Sequence, residues 1–241
     1  TARAPSAIAQ NPGEILPQEL DAKGLEEIKA AFVNAAIRAQ RIGVDFIELH
    51  GAHGYLIHQF LSPVANQRTD QYGGSSENRM RFPLEVFAAI RNVYHGVLGI
   101  RLSASDWVSD GWTPEETVIL SNALKAYDVS YIHVSSGGVS HAQKITIKPG
   151  YQVDFAKKIK QETGLPTIAV GLITEPKQAQ QILQDQQADL IALARAFLYK
   201  PRWVWEAAAQ LGGQVEAAPQ YWRCLPREHQ NVFKTLKIGQ R

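Results

Sequence analysis

The chain has 241 residues, 45% of them hydrophobic, and a formal net charge of +2. That length buries one large core or two small ones, and the near balance of charge gives no case for nucleic acid. The lone cysteine, Cys224, excludes an internal disulfide and fits a reducing, cytoplasmic setting. No run of about 18 apolar residues is present to span a membrane, and no signal-peptide pattern stands at Thr1.

Residues 1–20, rich in Pro, Ala and Ser, read as an extended loop with Ser6-Ala7-Ile8 as the buried part. Leu25 to Arg41 has Leu25, Ile28, Phe32, Ala36 and Ile37 on one helical face, and Gly43 stops it. An apolar run, Val44 to Leu49, follows as a buried strand. After a polar loop around residues 66–79, a helix is predicted from Glu77 to Tyr94, then a strand over Leu98–Ser103. Thr113 is a helix N-cap with Pro114 at the first position. Further strands are predicted at Val129–Val134, Thr167–Val170 and Asp189–Leu193, and further helices at Tyr151–Thr163, Glu175–Asp185 and Trp203–Gln210. Strict alternation of mostly apolar strands with helices implies βαβ units and a parallel sheet covered on both faces. Five strands fit either an open doubly wound sheet or a (β/α)8 barrel whose first three βα units are absent from these residues.

The first predicted strand ends in His50-Gly51-Ala52-His53-Gly54-Tyr55. Two imidazoles three residues apart can both donate to one oxygen and stabilise charge that builds on it. A tyrosine two residues on can reach the same ligand as a proton donor. Histidines satisfied within a turn are the plainer alternative. A metal site is a third, but there is no HExxH and no nearby Cys or Asp to complete a ligand set.

The motifs Ala4-Pro5-Ser6-Ala7-Ile8, His50-Gly51-Ala52-His53-Gly54-Tyr55-Leu56 and Phe60-Leu61-Ser62-Pro63 resemble the old yellow enzyme family of FMN-dependent ene-reductases. The same holds for Asn66-Gln67-Arg68-Thr69-Asp70, Tyr72-Gly73-Gly74-Ser75, Glu77-Asn78-Arg79, Arg101-Leu102-Ser103-Ala104, Ser135-Ser136-Gly137, Pro149-Gly150-Tyr151-Gln152, Ala169-Val170-Gly171 and Asp189-Leu190-Ile191. The bacterial subgroup called thermophilic-like is the most similar. The resemblance implies an α/β fold, the (β/α)8 TIM barrel, with strands four to eight in residues 1–241 and a C-terminal tail from 212 to 241 at a subunit interface. It implies an oxidoreductase that uses FMN and NADPH or NADH to reduce the C=C bond of α,β-unsaturated carbonyl compounds, and nitro compounds as well. It also implies a homo-oligomer, dimer or tetramer. The alternative is a non-catalytic barrel piece that works only with a partner chain carrying the first three units. A related reductase with an iron–sulfur cluster after the barrel conflicts with the single cysteine.

Residue by residue, His50 and His53 match the pair that binds the substrate's carbonyl or nitro oxygen, and Tyr55 matches the proton donor. Arg101, costly within a strand unless paired, matches an arginine beside flavin N1 and O2; a salt bridge to a barrel carboxylate is the other reading. Gly171, Ala194 and Arg195 match the FMN phosphate site, with Ala194 where the family often has glycine. Arg223 matches an arginine that reaches a neighbouring subunit's substrate site. Arg68, Asp70, Arg79 and Arg81 read as loop-ordering ion pairs, His58 as packing under the loop, and His133 as a satisfied core histidine. Ser135, Ser136 and Gly137 either line the flavin side or form a plain turn.

Overall fold

A computed structural model describes residues 2–234. Near the start, β1 (Arg3–Ala4) and β2 (Gln18–Glu19) form a short parallel ladder. The main sheet follows as β3 (Phe46–Gly51), β4 (Val97–Ser103), β5 (Ile132–Ser135), β6 (Thr167–Ala169) and β7 (Leu190–Ile191). Its helices are α1 (Ala22–Arg41), α2 (Leu56–Leu61), α3 (Ser76–Arg91), α4 (Pro114–Leu124), α5 (Val153–Thr163), α6 (Pro176–Gln184), α7 (Arg195–Tyr199) and α8 (Trp203–Leu211).

All neighbouring strands of the main sheet are parallel, and their spatial order is the sequence order. A doubly wound sheet reverses its order at a switch point. No reversal occurs here, so the five strands are an arc of a (β/α)8 barrel.

Strand alternation divides β4 into two faces. Leu98, Ile100 and Leu102 are fully buried and share one core with Val86, Phe87 and Ile90 of α3 and Leu120 and Leu124 of α4. Each such side chain contributes roughly 1.5–3 kcal/mol. The other face carries Arg101, in register with His50 of β3 and His133 of β5. Polar groups therefore line the side that the barrel encloses. The caps follow the sequence: Thr113 and Glu116 form a capping box at α4, with Pro114 in the first turn.

Some boundaries move. Val44 is absorbed by the end of α1, where its N–H bonds to the Ala39 carbonyl, so β3 begins at Phe46. The buried part of the opening segment is Ala4–Ser6, whereas Ala7 and Ile8 are exposed. There the chain is held by the β1–β2 ladder and by the N–H of Gln67, which donates to Ser6 Oγ. Ile37 of the predicted apolar face is also exposed, because α1 packs against α3 along one side only. The outermost strands leave Phe46 and Leu190 open to solvent.

Beyond α8, two 3₁₀ turns, Pro219–Cys224 and Arg227–His229, fold back onto that helix. Val232 and Phe233 pack with Ala208 and Trp205 as a second, small core. The Arg202 guanidinium lies 4.7 Å from the centre of the Trp205 ring and 4.6 Å from that of Tyr221. The last part of the predicted tail, residues 235–241, lies outside the described residues. Among the described residues no helix is long and apolar enough to cross a membrane.

Candidate active site

His50 leaves the carboxyl end of β3, and the chain then turns through Ala52–Gly54 into α2. The turn needs two successive left-handed residues, His53 at φ 57° and Gly54 at φ 75°. For His53 this conformation costs roughly 1–2 kcal/mol. It is held by neighbours: the His53 N–H donates to Ser103 Oγ at 3.0 Å, and that hydroxyl donates to the Gly137 carbonyl at 2.9 Å. Only glycine fits at 54, because a Cβ there would overlap the Gly138 carbonyl.

The turn brings the predicted trio together. The His50 ring centre lies 5.3 Å from that of His53 and 5.3 Å from that of Tyr55. Tyr55 is exposed and is the N-cap residue of α2, but its side chain makes no capping bond. His50 has no hydrogen-bond partner among the described residues, so both its ring nitrogens are available. His53 Nε2 lies 2.7 Å from Ser135 Oγ, which leaves Nδ1 as its available nitrogen.

Burial lowers the pKa of both imidazoles, and the nearby Arg101 charge adds to the effect. His53 is pushed down to about 4. Near neutral pH each ring is uncharged and carries one N–H. Each can therefore donate one hydrogen bond, the form suited to an oxygen that gains negative charge.

Arg101 points into a cleft of about 230 Å³ that is also lined by His53, Gln152, Gly171, Ala194 and Arg195. Its Nε is buried without a partner. Glu48, the carboxylate whose charge acts on Arg101, bonds instead to His133 Nδ1 at 3.0 Å. Among the described residues Arg101 makes no salt bridge, and none of their carboxylates supplies the internal pair. His133 is only half satisfied, since its Nε2 has no partner. Burial lowers the pKa of Arg101, and Glu48 partly opposes the shift. Burial and the same carboxylate push Tyr131 up to about 12.

Gly171 closes the cleft at φ 121°, and a Cβ there would stand 2.6 Å from Gln152 Nε2. Gln152 is a site residue to which the sequence pattern attached no role. It is buried, accepts from Ser136 Oγ at 2.6 Å and donates to the Val170 carbonyl at 3.0 Å. It thus joins the ends of β5 and β6, and of the Ser135-Ser136-Gly137 segment Ser135 lines the cleft. Only its place just before a helix, beside a glycine-rich turn, hinted at this.

Arg68 and Arg79 make the expected ion pairs, whereas Arg81 pairs with no carboxylate among the described residues. Arg68 pairs with Asp70 at 2.6 Å and donates to the carbonyls of Pro5 and Leu20. Arg79 is buried and joins the Leu61 carbonyl to Glu116, and Arg81 donates to the Gln71 carbonyl. Arg223 is exposed on the tail and does not line this chain's cleft. Among the described residues no three His, Cys, Asp or Glu side chains cluster as metal ligands.

Residues 2–214 match the family described as NADH:flavin oxidoreductase / NADH oxidase. The NADPH dehydrogenase of Geobacillus sp. (strain WCH70) is 48% identical over 220 residues, which cover 91% of this chain and 64% of that protein. The NADPH dehydrogenase of Bacillus pumilus (strain SAFR-032) is 46% identical over 220 residues, 91% of this chain and 65% of that protein. Among solved structures, morphinone reductase superposes with a TM-score of 0.72 at 28% identity, covering 98% of this chain and 64% of that one. A complex of 2-naphthoyl-CoA reductase with 2-naphthoyl-CoA superposes with a TM-score of 0.79 at 25% identity, over 88% of this chain and 33% of that one. The chain thus spans 64–65% of the length of these curated relatives. The family match over residues 2–214, on a barrel arc with this cleft at its carboxyl end, shows that the chain belongs to the NADH:flavin oxidoreductase / NADH oxidase family, the old yellow enzyme family that its motifs resemble.

Proposed function

We propose that these residues form the greater part of an FMN-dependent ene-reductase. It consumes NADPH or NADH and reduces the C=C bond of α,β-unsaturated carbonyl compounds, with nitro compounds as a second substrate class. The observation that carries this reading is the meeting of His50, His53 and Tyr55 beside an arginine with no partner among the described residues. The names of the relatives, NADPH dehydrogenase and morphinone reductase, support it.

The cleft fits FMN on its own chemistry. A buried guanidinium nitrogen without a partner among the described residues calls for an acceptor from beyond them, and the flavin's polar edge is one. Arg101 would hold the flavin's polar ring edge. Gly171, Ala194 and Arg195 would hold the phosphate, with glycine allowing close backbone approach and arginine offering a forked donor. Bound FMN supplies hydride; the protein orients and polarises the substrate.

His50 and His53, both uncharged, donate to the substrate's carbonyl or nitro oxygen. As negative charge grows there, both hydrogen bonds strengthen. The Tyr55 hydroxyl, exposed at the rim, gives a proton to the substrate carbon next to the carbonyl. The test is His50→Ala/His53→Ala in the whole flavoprotein. Loss of two donors is expected to lower enone reduction by roughly 3 kcal/mol or more in transition-state stabilisation. Phenols, whose phenolate imitates the charged oxygen, should bind correspondingly less tightly. Unchanged phenol affinity and enone reduction would refute the pairing.

A further inference from the structure

One buried group of side chains touches neither the cleft nor the solvent. His58 and Asp106 are both fully buried, with His58 Nε2 2.8 Å from Asp106 Oδ1. The N–H of Gly54 donates to His58 Nδ1 at 2.9 Å. Nδ1 therefore accepts, the ring proton is on Nε2, and Nε2 donates to Asp106. The other carboxylate oxygen accepts from Ser62 Oγ at 2.6 Å and from the Trp112 N–H at 2.7 Å.

This arrangement is expensive. A buried carboxylate carries a desolvation penalty that its partners must offset. An apolar pair could pack in the same place. What the polar pair provides is one fixed acceptor, aimed at one backbone amide. That amide belongs to Gly54, between His53 and Tyr55, in the strained part of the turn.

The helix start explains the need. Tyr55 is the N-cap of α2, and His58 stands at the third position of the helix. A standard cap uses the N-cap side chain to satisfy the helix amides, and a third-position side chain can reach back to bond an amide before the helix. Here only the second half operates. His58 reaches back to Gly54, while Tyr55 makes no capping bond and stays exposed beside His50. On its other side Gly54 lies against Gly138.

We propose that His58 and Asp106 are a positioning pair: Asp106 fixes the tautomer of His58, His58 pins the Gly54 amide, and the pinned turn aims His53 and Tyr55. The role in catalysis rests on the ene-reductase reading; the pinning itself does not. Two substitutions in the whole flavoprotein separate the ends of the imidazole. His58→Asn keeps an acceptor near the Nδ1 position. His58→Gln keeps a donor toward Asp106 and offers no acceptor near Gly54. Hydrogen exchange of the Gly54 and Tyr55 amides reads the pinning without any flavin chemistry. In H58Q this exchange is expected to rise about fivefold or more, the scale of one lost hydrogen bond. Enone reduction and phenol affinity should fall by a similar factor, with flavin reduction by NADPH unchanged. In H58N both should stay near native.

Native exchange in H58Q, or equal losses in both variants, overturns the proposal. Faster exchange with a native enone step overturns the positioning role. A native protein that reduces no enone overturns the ene-reductase reading alone, because exchange still decides the pinning. If H58Q cannot be purified, Asp106→Asn keeps the imidazole and removes the carboxylate that sets its tautomer. Faster Gly54 exchange in D106N then supports the proposal, and native exchange overturns it.

Discussion

His53 Nε2 and Ser135 Oγ, 82 positions apart in sequence, lie 2.7 Å from each other. The serine hydroxyl has two possible roles. It can donate to Gln152 Oε1, 3.4 Å away, or to His53 Nε2. Gln152 Oε1 already accepts from Ser136 Oγ at 2.6 Å, so the Ser135 proton is free to turn to the imidazole. When it does, the ring proton sits on Nδ1, the nitrogen left available to a ligand. Ser135→Ala is therefore expected to weaken phenol binding by about 1 kcal/mol, roughly fivefold. Titration of the flavin spectrum with a phenol checks this, and native affinity in S135A would show that the serine does not set the tautomer.

The lowered pKa of His53 also makes stability depend on pH. Unfolded, the ring titrates near 6.5; folded, it titrates near 4. Between these values the unfolded chain binds a proton that the folded protein does not, so stability falls as the pH drops from 6.5 towards 4. Above 6.5 the residue has no effect on stability, and below 4 its effect is constant. The shift of His50 acts in the same direction. His53→Asn should flatten the fall in urea midpoint over this window. A variant with the native slope would contradict the assigned burial effect.

Arg101 gives a prediction with two opposite signs. Among the described residues its Nε is buried without a partner, and in the flavin-free protein this lowers stability. Arg101→Leu should leave the flavin-free protein at least as stable as native, measured by thermal melting. The same change should weaken FMN binding tenfold or more, given about 1.5–3 kcal/mol for a charged hydrogen bond. A variant that loses stability and keeps its flavin would make Arg101 a structural residue.

The sequence carried the strand pattern because the barrel strands are short apolar runs, and it carried His50, His53 and Tyr55 because they lie within six positions on one turn. It did not disclose α2, whose start is held by His58 and, through it, by Asp106, 48 positions away. That Arg101 has no partner among the described residues was equally hidden. It depends on Glu48 bonding to His133, 85 positions from it, rather than to the arginine on the neighbouring strand. Gln152 acquires its role only when β5 and β6 lie side by side. What is local in the chain was legible. What depends on which distant groups meet, and which of two partners a buried group takes, was not.

The central claim is that Tyr55 is the proton donor of a site whose oxygen-binding pair is His50 and His53. It is tested most directly by rapid-mixing kinetics on the whole Tyr55→Phe flavoprotein, with each half-reaction followed separately. Reduction of the flavin by NADPH needs no proton from Tyr55 and should proceed at near the native rate. Reoxidation by an enone should slow about 10²-fold or more, the scale of one general acid, while reoxidation by a nitro compound, which needs no proton on carbon, should slow less. Equal slowing of both half-reactions, or an enone step at the native rate, would contradict the assignment.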